Sequence, residues 1–260
     1  MPFMATNGIE LYYEKHGSGY PVVFAHGSGG NHLSWWQQIP FFSQHYTCIT
    51  FDHRSFGLSN DSIEPRGREA FADDLKGLLD FLDVDKVALV AHSMGGRTGV
   101  GFTLRNPERV SCLVLSGSNG GSVNDESRRI WHENQEKANN SPRNSIRGLS
   151  QGFVEEHPYE TFLYREILRI NPKRPSNFLA VTPGYRGSTH DRLAATGVPI
   201  LYMVGDQDIL APPKTIEIAA SQVPAAQFLS VPETGHSVYY EQPELFNREV
   251  DRFLRESLQK

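Results

Sequence analysis

The sequence predicts an α/β protein with a doubly wound, mostly parallel sheet and an inserted helical lid. Three observations predict this fold class. Short runs of continuous apolar residues are typical of strands that are covered on both faces. Amphipathic segments of helical length separate most of these runs, and one long stretch contains no strand-like run. A chain of 260 residues suits a single domain of this kind.

The predicted strands begin with the segment Gly8–Glu14, in which apolar and polar residues alternate before a glycine-rich turn. This pattern indicates an antiparallel strand at the edge of the sheet. The later strands are predicted at six apolar runs: Pro21–Ala25, Tyr46–Phe51, Lys86–Ala91, Val110–Leu115, Val198–Val204 and Ala226–Val231.

Helices are predicted between these strands wherever apolar residues recur at helical spacing. The four segments are Glu69–Leu82, Gly96–Arg105, Pro213–Gln222 and Pro243–Leu258. Because strands and helices alternate, we expect right-handed crossovers and a ligand site beyond the carboxyl ends of the strands.

The alternation stops between residues 119 and 196, where two segments, Asn124–Ala138 and Tyr159–Ile170, have helical spacing. We predict an α/β core of residues 1–118 and 197–260 and a helical lid of residues 119–196. The alternative is a long irregular loop without a role at the site, but structureless loops of this length are uncommon.

Composition excludes several classes of function. The net charge of −5 provides no basic field for nucleic acid, and no stretch approaches the roughly 18 apolar residues of a membrane span. Residues 1–10 contain no charged segment followed by an apolar stretch of signal-peptide length, so we expect a protein that is not exported. Cys48 and Cys112 lie in apolar runs and are expected to be reduced core thiols, so we predict a cytoplasmic protein. A homo-oligomer is left open.

The sharpest motif is VAHSMGG at residues 90–96, which joins a predicted strand to a predicted helix. It matches a nucleophile elbow, in which a tight turn presents a serine above the sheet. Ser93 is therefore the candidate nucleophile, and Gly95 and Gly96 allow the two backbones to approach closely. The alternative is a surface serine in a glycine-rich turn.

Two backbone N–H groups are predicted to bind a developing oxyanion. The first belongs to Met94, since it starts the helix and carries the positive end of the helix dipole. The second is assigned to Ser28, within the glycine-rich sequence AHGSGG at residues 25–30. A plain strand-to-helix turn is the alternative for this loop, and His26 is expected to be structural.

A serine needs a nearby base, and the base needs a group that fixes its tautomer. Of ten histidines, His236 is the one that follows the last predicted strand and precedes the final helix. Asp208 is favoured as the acid because it lies deeper in the loop after Val198–Val204. Asp206 is the alternative, and we expect it to be a turn residue. The sequence has no HExxH or CxxC motif, so no metal and no cofactor is expected.

These motifs together resemble the α/β-hydrolase superfamily over nearly the whole chain apart from the lid. They are HGSGG at 26–30, DHRSFGLS at 52–59, AHSMGG at 91–96, GDQD at 205–208 and GHSVYYEQPELF at 235–246. The resemblance implies the α/β-hydrolase fold and a Ser-Asp-His triad. Members usually have glycine where Ser55 and Ala91 stand, and these departures affect local loop geometry.

The resemblance also narrows the reaction. Dehalogenases and epoxide hydrolases of the superfamily have aspartate at the elbow, and Ser93 argues against both. Its carbon–carbon bond hydrolases typically have tryptophan after the histidine, where Ser237 stands. We therefore expect hydrolysis of a small carboxylic ester or lactone through an acyl-enzyme on Ser93. The alternatives are a carbon–carbon bond hydrolase, or a ligand receptor that keeps the triad and turns over slowly.

Two groups of side chains give further hypotheses about the pocket. Aromatic residues either line an apolar pocket or pack the lid onto the core: Trp35, Trp36, Trp131, Phe153, Phe162, Tyr164 and Phe178. Three arginines either bind a substrate carboxylate or are solvated surface charges: Arg147, Arg165 and Arg186.

Overall fold

A computed structural model describes residues 2–61, 67–139, 146–173, 178–179, 189–224 and 226–259. The described residues contain one sheet of eight strands: β1 (Phe3–Thr6), β2 (Ile9–His16), β3 (Tyr20–Ala25), β4 (Tyr46–Phe51), β5 (Val87–His92), β6 (Val110–Ser116), β7 (Ile200–Gly205) and β8 (Gln227–Val231).

The strand order is β1-β2-β4-β3-β5-β6-β7-β8. The pairs β1–β2 and β2–β4 are antiparallel, and every later pair is parallel. This arrangement confirms the predicted fold class. The alternating segment Gly8–Glu14, which corresponds to β2, was predicted as the edge strand. The edge strand is instead β1, which pairs with the outer side of β2. The sequence of β1, FMAT, is too short to give a pattern.

Helices cover both faces of the sheet. The described helices are α1 (Ile39–Phe42), α2 (Phe71–Phe81), α3 (Met94–Arg105), α4 (Asp125–Asn139), α5 (Gln151–Glu156), α6 (Pro158–Arg169), α7 (His190–Thr196), α8 (Pro213–Ser221), α9 (Val238–Glu241) and α10 (Pro243–Leu258). The helices α2, α3 and α8 pack on one face, and α1 and α10 pack on the other.

The strand side chains explain why both faces need a cover. Along β3, Val23 and Ala25 belong to the core on one face, whereas Val22 and Phe24 belong to the core on the other. A strand that is apolar on both faces must be covered on both, which is why its sequence reads as a continuous apolar run.

The chain between β6 and β7 holds four described helices, α4 to α7, and no described strand. Two of them match the predicted segments within two residues, whereas α5 and α7 were not predicted. Residues 140–145, 174–177 and 180–188 of the predicted lid lie outside the described residues. The division into core and lid stays a prediction.

No helix within the described ranges is both long enough and apolar enough to span a membrane. Cys48 and Cys112 are free thiols and buried in strands. Burial raises the pKa of each thiol to about 12.

Candidate active site

Ser93 lies in the sharp turn between β5 and α3. Its backbone has φ 51° and ψ −114°, a left-handed conformation that is strained for a residue with a side chain. The Ser93 N–H donates to the carbonyl of Ser116 at 2.8 Å, and the Ser93 carbonyl accepts from Gly96 N at 3.0 Å. These bonds hold the turn, so the hydroxyl projects above the carboxyl end of the sheet.

Glycines next to Ser93 are required by close backbone approach. A Cβ at Gly95 would overlap the carbonyl oxygen of Ala25, and one at Gly96 would lie 2.6 Å from the Cβ of Ser118. Ala91 stands where the family usually has glycine. Across from it, α3 carries Gly99, whose Cβ position is 3.4 Å from the Ala91 Cβ. The glycine on the helix therefore provides the room that the alanine takes.

The loop after β3 passes directly beside the serine. A Cβ at Gly27 would lie 3.1 Å from the Cβ of Ser93. Ser28 follows it, exposed, at the mouth of the site. Met94 is the first residue of α3, so its N–H has no acceptor within the helix. Ser28 thus lines the same cavities as Ser93, and Met94 follows Ser93 in the chain. The role of their N–H groups stays a prediction.

His26 connects this loop to the chain after β4 through hydrogen bonds of its ring. Its ring is fully buried, and Nδ1 donates to the Gly27 carbonyl at 2.8 Å while Nε2 accepts from the His53 N–H at 3.0 Å. His53 continues the chain of contacts to the Thr98 hydroxyl at 2.8 Å. Burial holds the pKa of His53 well below its usual range, so this ring is neutral. These contacts fit the expected structural role of His26.

His236 lies in the loop after β8 and reaches Ser93. Its Nε2 is 2.9 Å from the Ser93 Oγ, within hydrogen-bond distance. The ring is 6% exposed, so water has little access to it. Gly117, with φ +58°, lies under the ring, where a Cβ would be 3.0 Å from Nδ1. The ring therefore needs a residue without a side chain beneath it.

Asp208 contacts the His236 ring at the nitrogen that does not face Ser93. Its Oδ2 is 2.7 Å from His236 Nδ1, and its Oδ1 accepts from the N–H groups of Leu210 and Ala211 at 2.8 Å each. The other candidate, Asp206, is exposed, and its carboxylate accepts from the Thr234 N–H at 3.4 Å. Three side chains from distant parts of the chain thus form a continuous relay.

Glu241 is a residue of this site that the sequence reasoning missed. It is buried, and its carboxylate accepts from the N–H of Gly235, beside His236, at 3.1 Å and from the N–H of Ser150 at 3.0 Å. Burial raises the pKa of this carboxyl, although the hydrogen bonds oppose the change. The glutamate five positions after a candidate base was the signal that could have found it. Through these two contacts, Glu241 connects the loop that carries His236 to the chain between β6 and β7.

Ser237 occupies the position where carbon–carbon bond hydrolases of the superfamily typically have tryptophan. It is fully buried, its N–H donates to the Gly148 carbonyl at 3.0 Å, and its hydroxyl is 3.1 Å from the Tyr164 hydroxyl. Because α6 packs directly over this serine, the space that a large ring would take is already filled.

Two cavities open on either side of the serine. The larger cavity has a volume of about 980 Å³ and the smaller one about 470 Å³, and Ser28, Ser93, Leu210 and His236 line both. The nucleophile candidate therefore lies where the two meet, which suits a substrate with one part on each side of the cleaved bond.

The predicted pocket aromatics divide between cavity and core. Trp131 lines the larger cavity and Tyr164 the smaller one. Trp35 is fully buried and packs against Phe24 and Tyr239 instead. Arg147 and Arg165 line the smaller cavity, whereas Arg186 lies outside the described residues. Within the described part of the chain, no group of three or more His, Cys, Asp or Glu side chains is placed to hold a metal ion.

The sequence profile of the α/β hydrolase fold matches residues 20–243. The 2-hydroxy-6-oxo-2,4-heptadienoate hydrolase of Pseudomonas putida is 30% identical over 265 residues, which cover 96% of this chain and 94% of that protein. A malate-bound esterase from Thermogutta terrifontis has a TM-score of 0.78 and 28% identity and covers 98% of this chain and 97% of that one.

The enol-lactonase from Burkholderia xenovorans has a TM-score of 0.76 at 22% identity and covers 98% of this chain and 100% of that one, a likeness that shows the fold alone. The resemblance predicted from the motifs is confirmed: this chain belongs to the α/β hydrolase fold family.

Proposed function

We propose that this α/β hydrolase cleaves a small carboxylic ester or lactone through an acyl-enzyme on Ser93. The observation that carries the proposal is the relay of two short contacts, 2.9 Å from Ser93 to His236 and 2.7 Å from His236 to Asp208. A serine next to a base whose tautomer is fixed by a carboxylate is the arrangement that nucleophilic acyl transfer needs.

The proposed reaction has two steps. Ser93 Oγ attacks the carbonyl carbon while His236 Nε2 takes its proton, and the N–H groups of Met94 and Ser28 stabilise the oxyanion. The carbon–oxygen bond to the alcohol breaks, and His236 returns the proton to the leaving alkoxide. Water, deprotonated by His236, then attacks the acyl-enzyme, and the free acid leaves as Ser93 regains its proton. Asp208 holds the His236 ring in place throughout.

Residues 119–196 are assigned the role of a lid over this site. The support is that Ile146, Arg147, Tyr164 and Leu168 contribute to the smaller cavity and that Trp131 contributes to the larger one. A cytoplasmic location is part of the same proposal, and the two buried free thiols suit a reducing compartment.

The second candidate is hydrolysis of a carbon–carbon bond on the same relay. The 30% identical relative, named for an oxo-heptadienoate substrate, favours it. The buried Ser237 and its contact with Tyr164 favour the ester or lactone reaction. A screen of the purified protein against neutral esters, lactones and vinylogous diketones decides between them by the rates of product release.

The first test is Ser93→Ala with 4-nitrophenyl pentanoate as substrate. Loss of the nucleophile is expected to lower kcat by about 10⁴-fold or more. Ser221→Ala, on an exposed serine at the end of α8, is the matched control and should keep wild-type activity. Many turnovers per site support an enzyme rather than a slow receptor. Equal rates for wild type and Ser93→Ala would overturn the proposal.

A further inference from the structure

The ring of His92 lines the smaller cavity beside Ser93 and is 4% exposed. His92 is the last residue of β5, directly before the candidate nucleophile. Its Nδ1 is 3.1 Å from the carbonyl oxygen of Ser116, the same oxygen that accepts from the Ser93 N–H. Because a carbonyl oxygen can only accept a hydrogen bond, Nδ1 carries the proton and is the donor. The neighbouring strand thus fixes the tautomer of this ring.

This tautomer makes Nε2 of His92 a hydrogen-bond acceptor. Burial and the nearby His236 hold the pKa of His92 well below its usual range, so the ring is neutral and Nε2 keeps its lone pair. No donor in the part of the chain that the structure describes forms a hydrogen bond with this nitrogen. A buried acceptor without a donor is unfavourable, so Nε2 is suited to receive a donor from a ligand.

Gly27 shows that this acceptor lies close to the candidate nucleophile. A Cβ at Gly27 would lie 3.2 Å from His92 Nε2 and 3.1 Å from the Ser93 Cβ, so both residues border the same small region. That Cβ would also overlap Cδ2 of His92, at 2.6 Å. A side chain at position 27 would therefore collide with the edge of the imidazole. With glycine there, this edge remains part of the cavity wall.

Two aromatic contacts hold the His92 ring in this orientation. Its centroid is 4.7 Å from that of His236 and 4.9 Å from that of Tyr239, with interplanar angles of 56° and 60°. Together with the bond to Ser116, these contacts fix the direction of the Nε2 lone pair. A fixed acceptor loses little conformational entropy when a ligand binds. It also discriminates strongly against a ligand that has no donor, because such a ligand leaves the buried nitrogen unpaired.

We propose that Nε2 of His92 accepts a hydrogen bond from the substrate, so that the smaller cavity selects an ester or lactone with a hydroxyl or amide N–H group near the scissile carbonyl. This inference rests on the proposed function, since it names the substrate class for the same serine. His92 is a specificity-determining residue: it accepts from the donor of the substrate, while cleavage occurs at Ser93, and it neither gains nor loses a proton in the reaction.

The test uses pairs of esters in which a methyl group replaces the hydrogen of the donor. Ethyl 3-hydroxybutanoate is compared with ethyl 3-methoxybutanoate, and ethyl 3-acetamidopropanoate with its N-methyl derivative. A third pair, 2-hydroxyethyl butanoate and 2-methoxyethyl butanoate, places the donor on the leaving alcohol. A pH-stat measures kcat/KM for each ester, with Ser93→Ala protein as the blank for spontaneous hydrolysis. The readout is the ratio of kcat/KM within a pair, because a loss that affects both esters cancels.

Wild-type protein is expected to prefer the donor-bearing ester of at least one pair by about 10-fold or more. His92→Phe keeps a ring but removes the acceptor, and should lower that ratio by about 5- to 50-fold. His92→Gln, whose amide oxygen can take the place of Nε2, should restore part of the ratio. If the phenylalanine variant fails to fold, His92→Leu replaces it. His45→Phe, on an exposed histidine directly before β4, is the matched control and should keep the wild-type ratio.

The failures of the two proposals differ. If no ester is hydrolysed in a way that depends on Ser93, the proposed function is wrong. If hydrolysis depends on Ser93 but wild type prefers no donor-bearing ester, the role of His92 is overturned and the serine hydrolase remains. A preference that His92→Phe leaves unchanged also overturns this role. So does a His92→Gln variant that loses as much of the ratio as His92→Phe, because the acceptor would then not be the cause.

Discussion

The carboxylate of Asp208 differs from that of Asp206, two residues earlier, in its surroundings alone. Asp208 is 3% exposed and accepts three hydrogen bonds, two from backbone N–H groups and one from the His236 ring. The backbone donors hold the carboxylate in one orientation, so one oxygen is directed at the imidazole. Asp206 is exposed to water, and its carboxylate has no described contact with the His236 ring.

Asp208→Asn is expected to lower kcat for the neutral ester by about 10³- to 10⁴-fold. The amide neither stabilises the imidazolium that forms nor favours the tautomer in which His236 Nε2 accepts the serine proton. Steady-state kinetics with 4-nitrophenyl pentanoate measure the effect. Asp206→Asn is the matched control and should stay within about twofold of wild type. A larger loss from Asp206→Asn than from Asp208→Asn would contradict the assignment.

At the scale of elements, the site depends on the close contact between the β5–α3 turn and the loop after β3. Ser93 is held at φ 51° because Gly95 lies against the Ala25 carbonyl and Gly96 against Ser118. A second left-handed turn occurs at Ser55, where φ is 62° and the family usually has glycine. There the Ser55 hydroxyl donates to Asp61 at 2.6 Å, a contact that a glycine could not make.

Two glycine-to-alanine changes should have opposite effects on stability. Gly95→Ala inserts a methyl group into the Ala25 carbonyl and should lower the free energy of unfolding by about 1–3 kcal/mol. Gly152→Ala, on α5, has no atom within 4 Å of its Cβ position and should raise it by about 0.5–1 kcal/mol. Urea unfolding monitored by circular dichroism measures both. Equal effects would show that the elbow is not tightly packed.

At the scale of the whole molecule, the order of the strands in the sheet brings the candidate site residues together. The candidate residues follow β3, β5, β7 and β8, all parallel strands whose carboxyl ends lie at one edge. Behind the loop after β3, Asp52 accepts from the His32 N–H at 2.6 Å and from its ring Nδ1 at 2.9 Å. This buried pair anchors the chain after β3 to the chain after β4.

The His32–Asp52 pair should make the stability of the protein depend on pH. Burial alone would lower the pKa of His32, but the hydrogen bond and charge of Asp52 outweigh it and raise that pKa. The folded state therefore binds a proton more tightly than the unfolded state. The stabilisation is complete below about pH 6.5 and is lost as the pH rises through the raised pKa.

Urea unfolding across pH 5.5 to 9 tests this expectation. Wild type should lose more free energy of unfolding over this range than His32→Gln, which cannot take up the proton. Asp52→Asn, which removes the charge from the other partner, should flatten the curve in the same way. A wild-type slope that His32→Gln leaves unchanged would show that the pair does not titrate there.

The sequence by itself determined the fold class, the elbow serine and the order of the chemical groups along the chain. These follow from local chemistry: apolar runs record burial on both faces, and glycines beside Ser93 record close backbone approach. Ser93, Asp208 and His236 could be selected because each follows a strand whose end is visible in the sequence.

The tertiary structure alone decided which groups meet. Edge strand β1 was too short to give a pattern, and Trp35 was placed in the core rather than at the pocket by its packing against Tyr239. Glu241 became visible only when a distant segment, at Ser150, was brought against it. The periodicity of apolar residues indicates whether a side chain is buried. It does not indicate which residues that side chain contacts, because those contacts join residues far apart in the chain.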